Sequence, residues 1–158
     1  MADHTEETFL EAKARQAKGQ RGKSSETVVE DVLKALRDSR PHFIFQRNQD
    51  ARAAGRPMPA SVSDFIVVCH GQASTLEVKE VKSGTRLRKF DQLPRQQRWE
   101  MAGVQGLVLV HFVENDRWAL AWTKDLEPAA SWQMAERNGV AWYKSAKEAL
   151  TFLWGTEK

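Results

Sequence analysis

An aspartate, a glutamate and a lysine stand in this chain where β-rich runs ordinarily carry no charge. Asp64 opens Asp64-Phe65-Ile66-Val67-Val68, and Glu77 and Lys79 interrupt Leu76-Glu77-Val78-Lys79-Glu80. Strand side chains alternate, so Glu77 and Lys79 share one face while Leu76 and Val78 share the other. Gly71-Gln72-Ala73 between the two runs predicts a hairpin. An odd pairing sum, with 64 opposite 79 and 66 opposite 77, brings Asp64 onto the face of Glu77 and Lys79. Diagonal neighbours then lie roughly 7–8 Å apart, within reach of one cation held by two carboxylates. A one-residue slip would turn Asp64 away.

Hard oxygen donors of this kind suit Mg²⁺, with Mn²⁺ as substitute; such ions keep several waters and accept a phosphate oxygen. The Val78 carbonyl is a further candidate donor. A lysine two residues beyond the glutamate can orient an attacking water and stabilise negative charge developing at phosphorus. The competing reading is an ordinary surface hairpin whose polar face carries a Glu–Lys pair.

The elements that must position these groups follow from the surrounding pattern. Ser24 or Ser25 can cap a helix running to about Asp38, with Val29, Val32, Leu33 and Leu36 at helical spacing and Pro41 beyond its end. Glu26 falls on the inner side of that helix, in step with Val29 and Leu33; Glu30 is the competing choice. A strand at 42–46, a Pro- and Gly-bearing loop at 48–61, and the runs 63–70 and 74–81 come next. A basic segment at 82–89 leads to a helix at about 93–102, where Pro94 is tolerated in the first turn. Strands are expected at 107–113, 117–123 and 140–143, a short helix at 126–135, and a closing helix at 145–154. Strands in the middle and helices outside predict an α/β fold, a central mixed β-sheet flanked by helices in three layers.

With these elements in place, Ser63-Asp64 followed by Glu77-Val78-Lys79 resembles the PD-(D/E)xK nuclease signature, with Ser63 where the motif's proline stands. Gly22-Lys23-Ser24-Ser25-Glu26, opening the first helix, is similar to the glutamate-bearing segment of the superfamily's Holliday junction resolvases. Arg56-Pro57-Met58-Pro59 resembles the basic Pro-x-Pro segment of the RecU type. Phe90 to Met101 resembles their glutamine-bearing helix, with Gln97 preferred over Gln96, and Gly106 to Phe112 resembles the buried strand that follows. The long RecU stalk is missing, since only residues 60–63 separate the Pro-x-Pro segment from Asp64; archaeal-type resolvases also lack it. The resemblance implies a PD-(D/E)xK nuclease-like core with Glu26, Asp64, Glu77, Lys79 and Gln97 catalytic. Asp64, Glu77, Val78 and Glu26 would hold the metal. It further implies a homodimer that resolves four-way junctions, one kind of branched DNA, by symmetric hydrolysis. A related nuclease for flap or linear DNA, or a non-catalytic DNA-binding subunit, are the alternatives.

Length and charge are consistent with that expectation. The chain has 158 residues and a net charge of +3, small enough that only its distribution is informative. Residues 13–23 carry five basic and no acidic side chains, residues 79–98 seven against two, and residues 99–158 six against eight. Lys18, Arg21 and Lys23 thus precede Glu26, and Arg56, Lys82, Arg86, Arg88 and Lys89 flank the carboxylate strands. They are candidate contacts to a phosphate backbone. Residues 1–23 read as a basic mobile arm and residues 24–158 as a single nuclease domain. The lone Cys69 cannot form an internal disulfide. No apolar run is long enough for a bilayer and the acidic start is unlike a secretory signal, so an intracellular, cytoplasmic protein is expected, cellular or phage-encoded. There is no Gly-rich phosphate loop and hence no support for a nucleotide cofactor. The histidines show no ligand spacing; His111 reads as a satisfied core histidine. Trp118 and Trp122 share parity and should face one layer.

Overall fold

In the computed structural model, residues 24–48 and 61–155 are described. The arm at 1–23, the Pro-x-Pro segment, and the candidate contacts Lys18, Arg21, Lys23 and Arg56 lie outside them.

Helix α1, Ser25–Ser39, begins where the Ser24 hydroxyl accepts the Thr27 N–H at 3.2 Å. It ends at Arg40, whose extended φ/ψ of −135°/118° is what the following Pro41 enforces. Its buried positions Val29, Leu33 and Leu36 recur at i, i+4 and i+7. They pack on a sheet whose strands, in spatial order, are β1 (Phe43–Arg47), β2 (Phe65–Cys69), β3 (Gln72–Val81), β5 (Gln105–Phe112), β6 (Arg117–Trp122) and β8 (Ala141–Tyr143). Among the described strands only β3 and β5 pair in parallel. That single parallel junction needs a crossover, supplied by β4 (Arg86–Arg88) and α2 (Leu93–Met101).

One face of the sheet buries Leu76, Val78, Leu107, Leu109 and Trp118 against α1 and the closing helix α3 (Ala146–Trp154). Trp122, partly buried, packs on the same cluster, as its shared parity with Trp118 requires. The opposite face buries Val108, Val110 and Phe112 under Leu93 of α2, with Leu87, Trp132 and Met134. The protein is therefore a three-layer α/β fold built on a mixed six-stranded sheet.

Three local expectations change. The hairpin turns at His70-Gly71, both with positive φ (50° and 79°), rather than over three residues. This is the two-residue turn that matches strand twist, and Cys69 pairs with Gln72. The segment expected as a helix at 126–135 instead contains strand β7, Ser131–Gln133, between two 3₁₀ turns. The basic stretch 82–89 contains β4, which pairs with β7 in a small second sheet. Isolated three-residue strands of this kind carry too little periodicity to be read locally; it is the burial of Leu87 and Trp132 in one cluster that holds them. Gly106 also has a packing reason: a Cβ there would lie 2.0 Å from Thr123 Oγ1, so a side chain on β5 at this point would have to displace the Thr123 hydroxyl.

Candidate active site

Strand β3 is longer than its neighbour on one side. Its pairing with β2 stops at Phe65–Leu76, whereas its pairing with β5 continues to Val81–Phe112. From Glu77 onward one edge of β3 is therefore free, and the chain entering β2 fills the gap. The Asp64 carboxylate accepts the Val78 N–H at 2.8 Å. Because N–H and C=O of one strand residue point to the same side, the Val78 carbonyl also faces this opening.

The approach to Asp64 is held on both sides. The Asn48 N–H donates to the Asp64 carbonyl at 2.8 Å, and the Asn48 side-chain amide to the Ser63 carbonyl at 2.8 Å. The buried Ser63 hydroxyl donates to the Phe65 carbonyl at 2.6 Å. Ser63 thus stiffens the turn by a hydrogen bond, where the signature's proline would do so through its ring.

The pairing sum is odd, as the common face of Asp64, Glu77 and Lys79 requires, but it is smaller by two. Ile66 pairs with Thr75, not Glu77, so continuing the register sets Asp64 beside Glu77 rather than Lys79. The shift follows from the shorter turn and brings the two carboxylates closer than the sequence register would.

Glu77 is 1% exposed, and its Oε1 lies 3.3 Å from Lys79 Nζ. Burial, then the Asp64 charge, push its carboxyl up to about 8, against the opposing pull of Lys79. Burial likewise raises Asp64, partly offset by the Val78 N–H. A buried carboxyl beside a half-buried one favours holding one proton between them, and burial of Glu77 outweighs the single lysine. Glu77 Oε2 is buried without any hydrogen-bond partner, so a proton or a cation in its place is what that atom lacks. The Lys79 ammonium also sits over the Phe90 ring, 5.1 Å from its centroid, which limits where it can swing.

Glu26 is nearby, raised by its own burial and by Asp64. It is committed elsewhere, however: Arg47 Nη2 bonds Glu26 at 3.1 Å, and Arg47 Nη1 bonds Glu30. Glu26 and Glu30, competing in sequence, are thus clamped by one guanidinium at the end of β1. Among the described residues no group of three or more His, Cys, Asp or Glu is gathered as a metal site. The donors that do converge are Asp64, Glu77 and the Val78 carbonyl. Two carboxylates, one of them with its Oε2 orphaned, fit a hydrated Mg²⁺ or Mn²⁺, which needs few protein ligands.

Gln97 does not approach this site. Its amide donates to the Thr123 and Leu126 carbonyls at 2.9 and 3.0 Å, tying α2 to the 3₁₀ turn. Gln96 is the glutamine turned toward β3: fully buried, it donates to Thr75 Oγ1 at 3.1 Å, on the Glu77 face, and its Oε1 has no partner. A helix positions adjacent residues 100° apart, so one of the pair had to leave the sheet; sequence alone does not say which.

Arg47, which holds both Glu26 and Glu30, is the candidate residue that sequence reasoning missed. Its signal was a cation ending an otherwise aromatic strand, Phe43-Ile44-Phe45-Gln46-Arg47. Lys82, Arg86, Arg88 and Lys89 are exposed as expected, and with Lys79 and Phe90 they line a cavity of about 640 Å³ leading from the site. His111 is satisfied by Ser25 and Asp116 at 3.1 and 2.9 Å and stacks on Trp118.

The site is a carboxyl–carboxyl–lysine set at the divergence of two strands of a mixed sheet. Among solved structures the chain is similar to Archaeoglobus fulgidus Hjc, a Holliday junction resolvase from an archaeal hyperthermophile, at 18% identity and a TM-score of 0.47, over 72% of this chain and 84% of that one. No protein-family model and no curated protein matches the chain. No helix among the described residues is long and apolar enough to cross a membrane.

Proposed function

We propose that this protein is a divalent-metal-dependent DNA endonuclease acting on branched DNA, with the four-way junction as its first substrate and a homodimer as its working form. The observation that carries the reading is the buried Glu77 beside the half-buried Asp64, with the orphaned Glu77 Oε2 and Lys79 at 3.3 Å, opening onto a basic cavity. The junction and the dimer rest on the sequence resemblance, since two symmetric nicks call for two sites.

Asp64, Glu77 and the Val78 carbonyl would hold Mg²⁺ or Mn²⁺, with Glu26 reaching it through water once Arg47 lets go. The ion, when bound, supplies charge neutralisation at the phosphate and a more acidic water. Binding it requires the proton shared by Asp64 and Glu77 to leave, so metal affinity rises with pH. Lys79, held 3.3 Å from Glu77 Oε1, serves as a hydrogen-bond donor. It orients the water and a non-bridging oxygen by donating to them. In-line attack by the water breaks the P–O3′ bond; the water's proton passes to solvent and the departing O3′ takes one from solvent, leaving a 5′-phosphate and a 3′-hydroxyl. Lys82, Arg86, Arg88 and Lys89 hold the backbone by charge, which suits recognition of branch shape rather than sequence.

End-labelled four-way junction, flap, splayed-arm and linear duplex substrates, each with and without Mg²⁺, test this reading. Symmetric nicks confined to the junction support it. Preference for flap or linear DNA would keep the nuclease and discard the junction. Metal-independent binding without any nicking would favour a non-catalytic subunit.

A further inference from the structure

A second cavity, of about 500 Å³, lies beyond Thr85 from the basic one and is lined by Thr85, Asn115, Arg117, Ala135 and Trp142. We propose that it holds one unpaired nucleotide of a DNA strand, the base against Trp142 and the adjoining phosphate at Arg117. The proposal rests on the nucleic-acid reading above and adds a subsite to it.

The lining supplies each group such a ligand needs: an aromatic face, a guanidinium, and an amide and a hydroxyl for a base edge. Trp142 is already seated, its ring 5.2 Å from that of Phe112 and tilted by 33°, so little order is lost when a base stacks on it. Arg117 is exposed and makes no ion pair with another described residue.

The walls are cross-tied rather than loose. Asp116, between Asn115 and Arg117, has a φ of 47° and meets His111 Nε2 at 2.9 Å. The Gly84 N–H donates to the Glu114 carboxylate at 2.9 Å, and the Val113 N–H to the Val81 carbonyl at 2.9 Å. On the other side the Met134 N–H donates to the Thr85 carbonyl at 2.9 Å. The loop that carries Lys82 and Arg86 therefore borders both cavities, and in this proposal a strand leaving the first would cross Thr85 to reach the second.

Charge distinguishes a single strand from a duplex here. Arg117 is one cation with the exposed carboxylates Glu114 and Asp116 beside it in the sequence. One phosphodiester can pair with the guanidinium, whereas two duplex backbones would meet a net negative rim.

The test measures fluorescence anisotropy of labelled dT12 and of a blunt duplex of the same length, with the full-length protein and no added metal. Arg117→Ala and Trp142→Leu should each weaken dT12 binding about tenfold, with duplex binding changed less than about twofold. Trp142→Phe, which keeps an aromatic face and protects against misfolding as the explanation, should retain dT12 binding and lose part of the tryptophan quenching. Wild-type affinity for dT12 in Arg117→Ala would overturn the proposal. So would competition by thymidine 5′-monophosphate as strong as that by dT12, which would make this a site for free nucleotide. A wild-type protein that binds duplex but not dT12 overturns this subsite alone; one that binds neither overturns the nucleic-acid reading with it.

Discussion

Replacing Glu77 by glutamine should make the metal-free protein more stable at alkaline pH, although the residue is central to the site. In the unfolded chain Glu77 loses its proton near the ordinary value of 4.5; in the folded protein it keeps it until about pH 8. The folded state therefore binds the extra proton between those values. Its contribution to stability is fully present below about pH 4 and is lost as pH rises through 8. A displacement of that size corresponds to roughly 4–5 kcal/mol between the two ends of the window, an upper figure because Asp64 shares the proton. The glutamine cannot ionise, fills the same volume, and its amide can donate to Asp64. Urea unfolding in chelator at pH 5, 7 and 8.5 reads this directly: the wild-type midpoint should fall by about 2 M across the series, and that of Glu77→Gln far less. Mg²⁺ at ten times its dissociation constant should return about 1.4 kcal/mol to the wild type at pH 8.5 and little to the variant. A wild-type midpoint independent of pH, or a variant equally stabilised by Mg²⁺, would refute the shared-proton account.

Lys79→Met should abolish nicking while leaving the Mg²⁺-induced stabilisation in place, because the lysine contributes no metal ligand; a lost thermal shift would show that it holds the carboxylates instead. Asn48→Ala removes the amide that fixes the Ser63 carbonyl, costs about 1–2 kcal/mol by leaving that partly buried carbonyl unpaired, and should raise the Mg²⁺ needed for half-maximal nicking. Unchanged metal dependence would separate the clamp from the site. Gly106→Ala forces the Thr123 hydroxyl away from β5 and should destabilise by about 1–3 kcal/mol, read as a lower thermal midpoint; wild-type stability would mean the 3₁₀ turn yields freely.

What could be read from the sequence was what repeats. The helical spacing of Val29, Leu33 and Leu36, the alternation of Leu76, Glu77 and Val78, and the parity shared by Trp118 and Trp122 each mark a face, and each face packs accordingly. Asp64, Glu77 and Lys79 could be grouped because parity survives a two-residue change of register. The register itself could not, since a positive φ at His70 stays uncommon even for a residue type enriched there. Strands β4 and β7 were invisible for a related reason: each is three residues long and exists through a partner about 45 residues away in the chain. Choosing between Gln96 and Gln97, or seeing that Arg47 would clamp both Glu26 and Glu30, needs the helix phase relative to the sheet. No local pattern carries that information.

The most direct measurement is incision of a labelled four-way junction by the wild type and by Asp64→Asn across a Mg²⁺ titration, with junction binding measured in parallel. Metal-dependent nicks ending in a 5′-phosphate, reduced at least about a hundredfold in the variant with binding retained, are the predicted result. Equal incision by the two proteins at the same Mg²⁺ would contradict it.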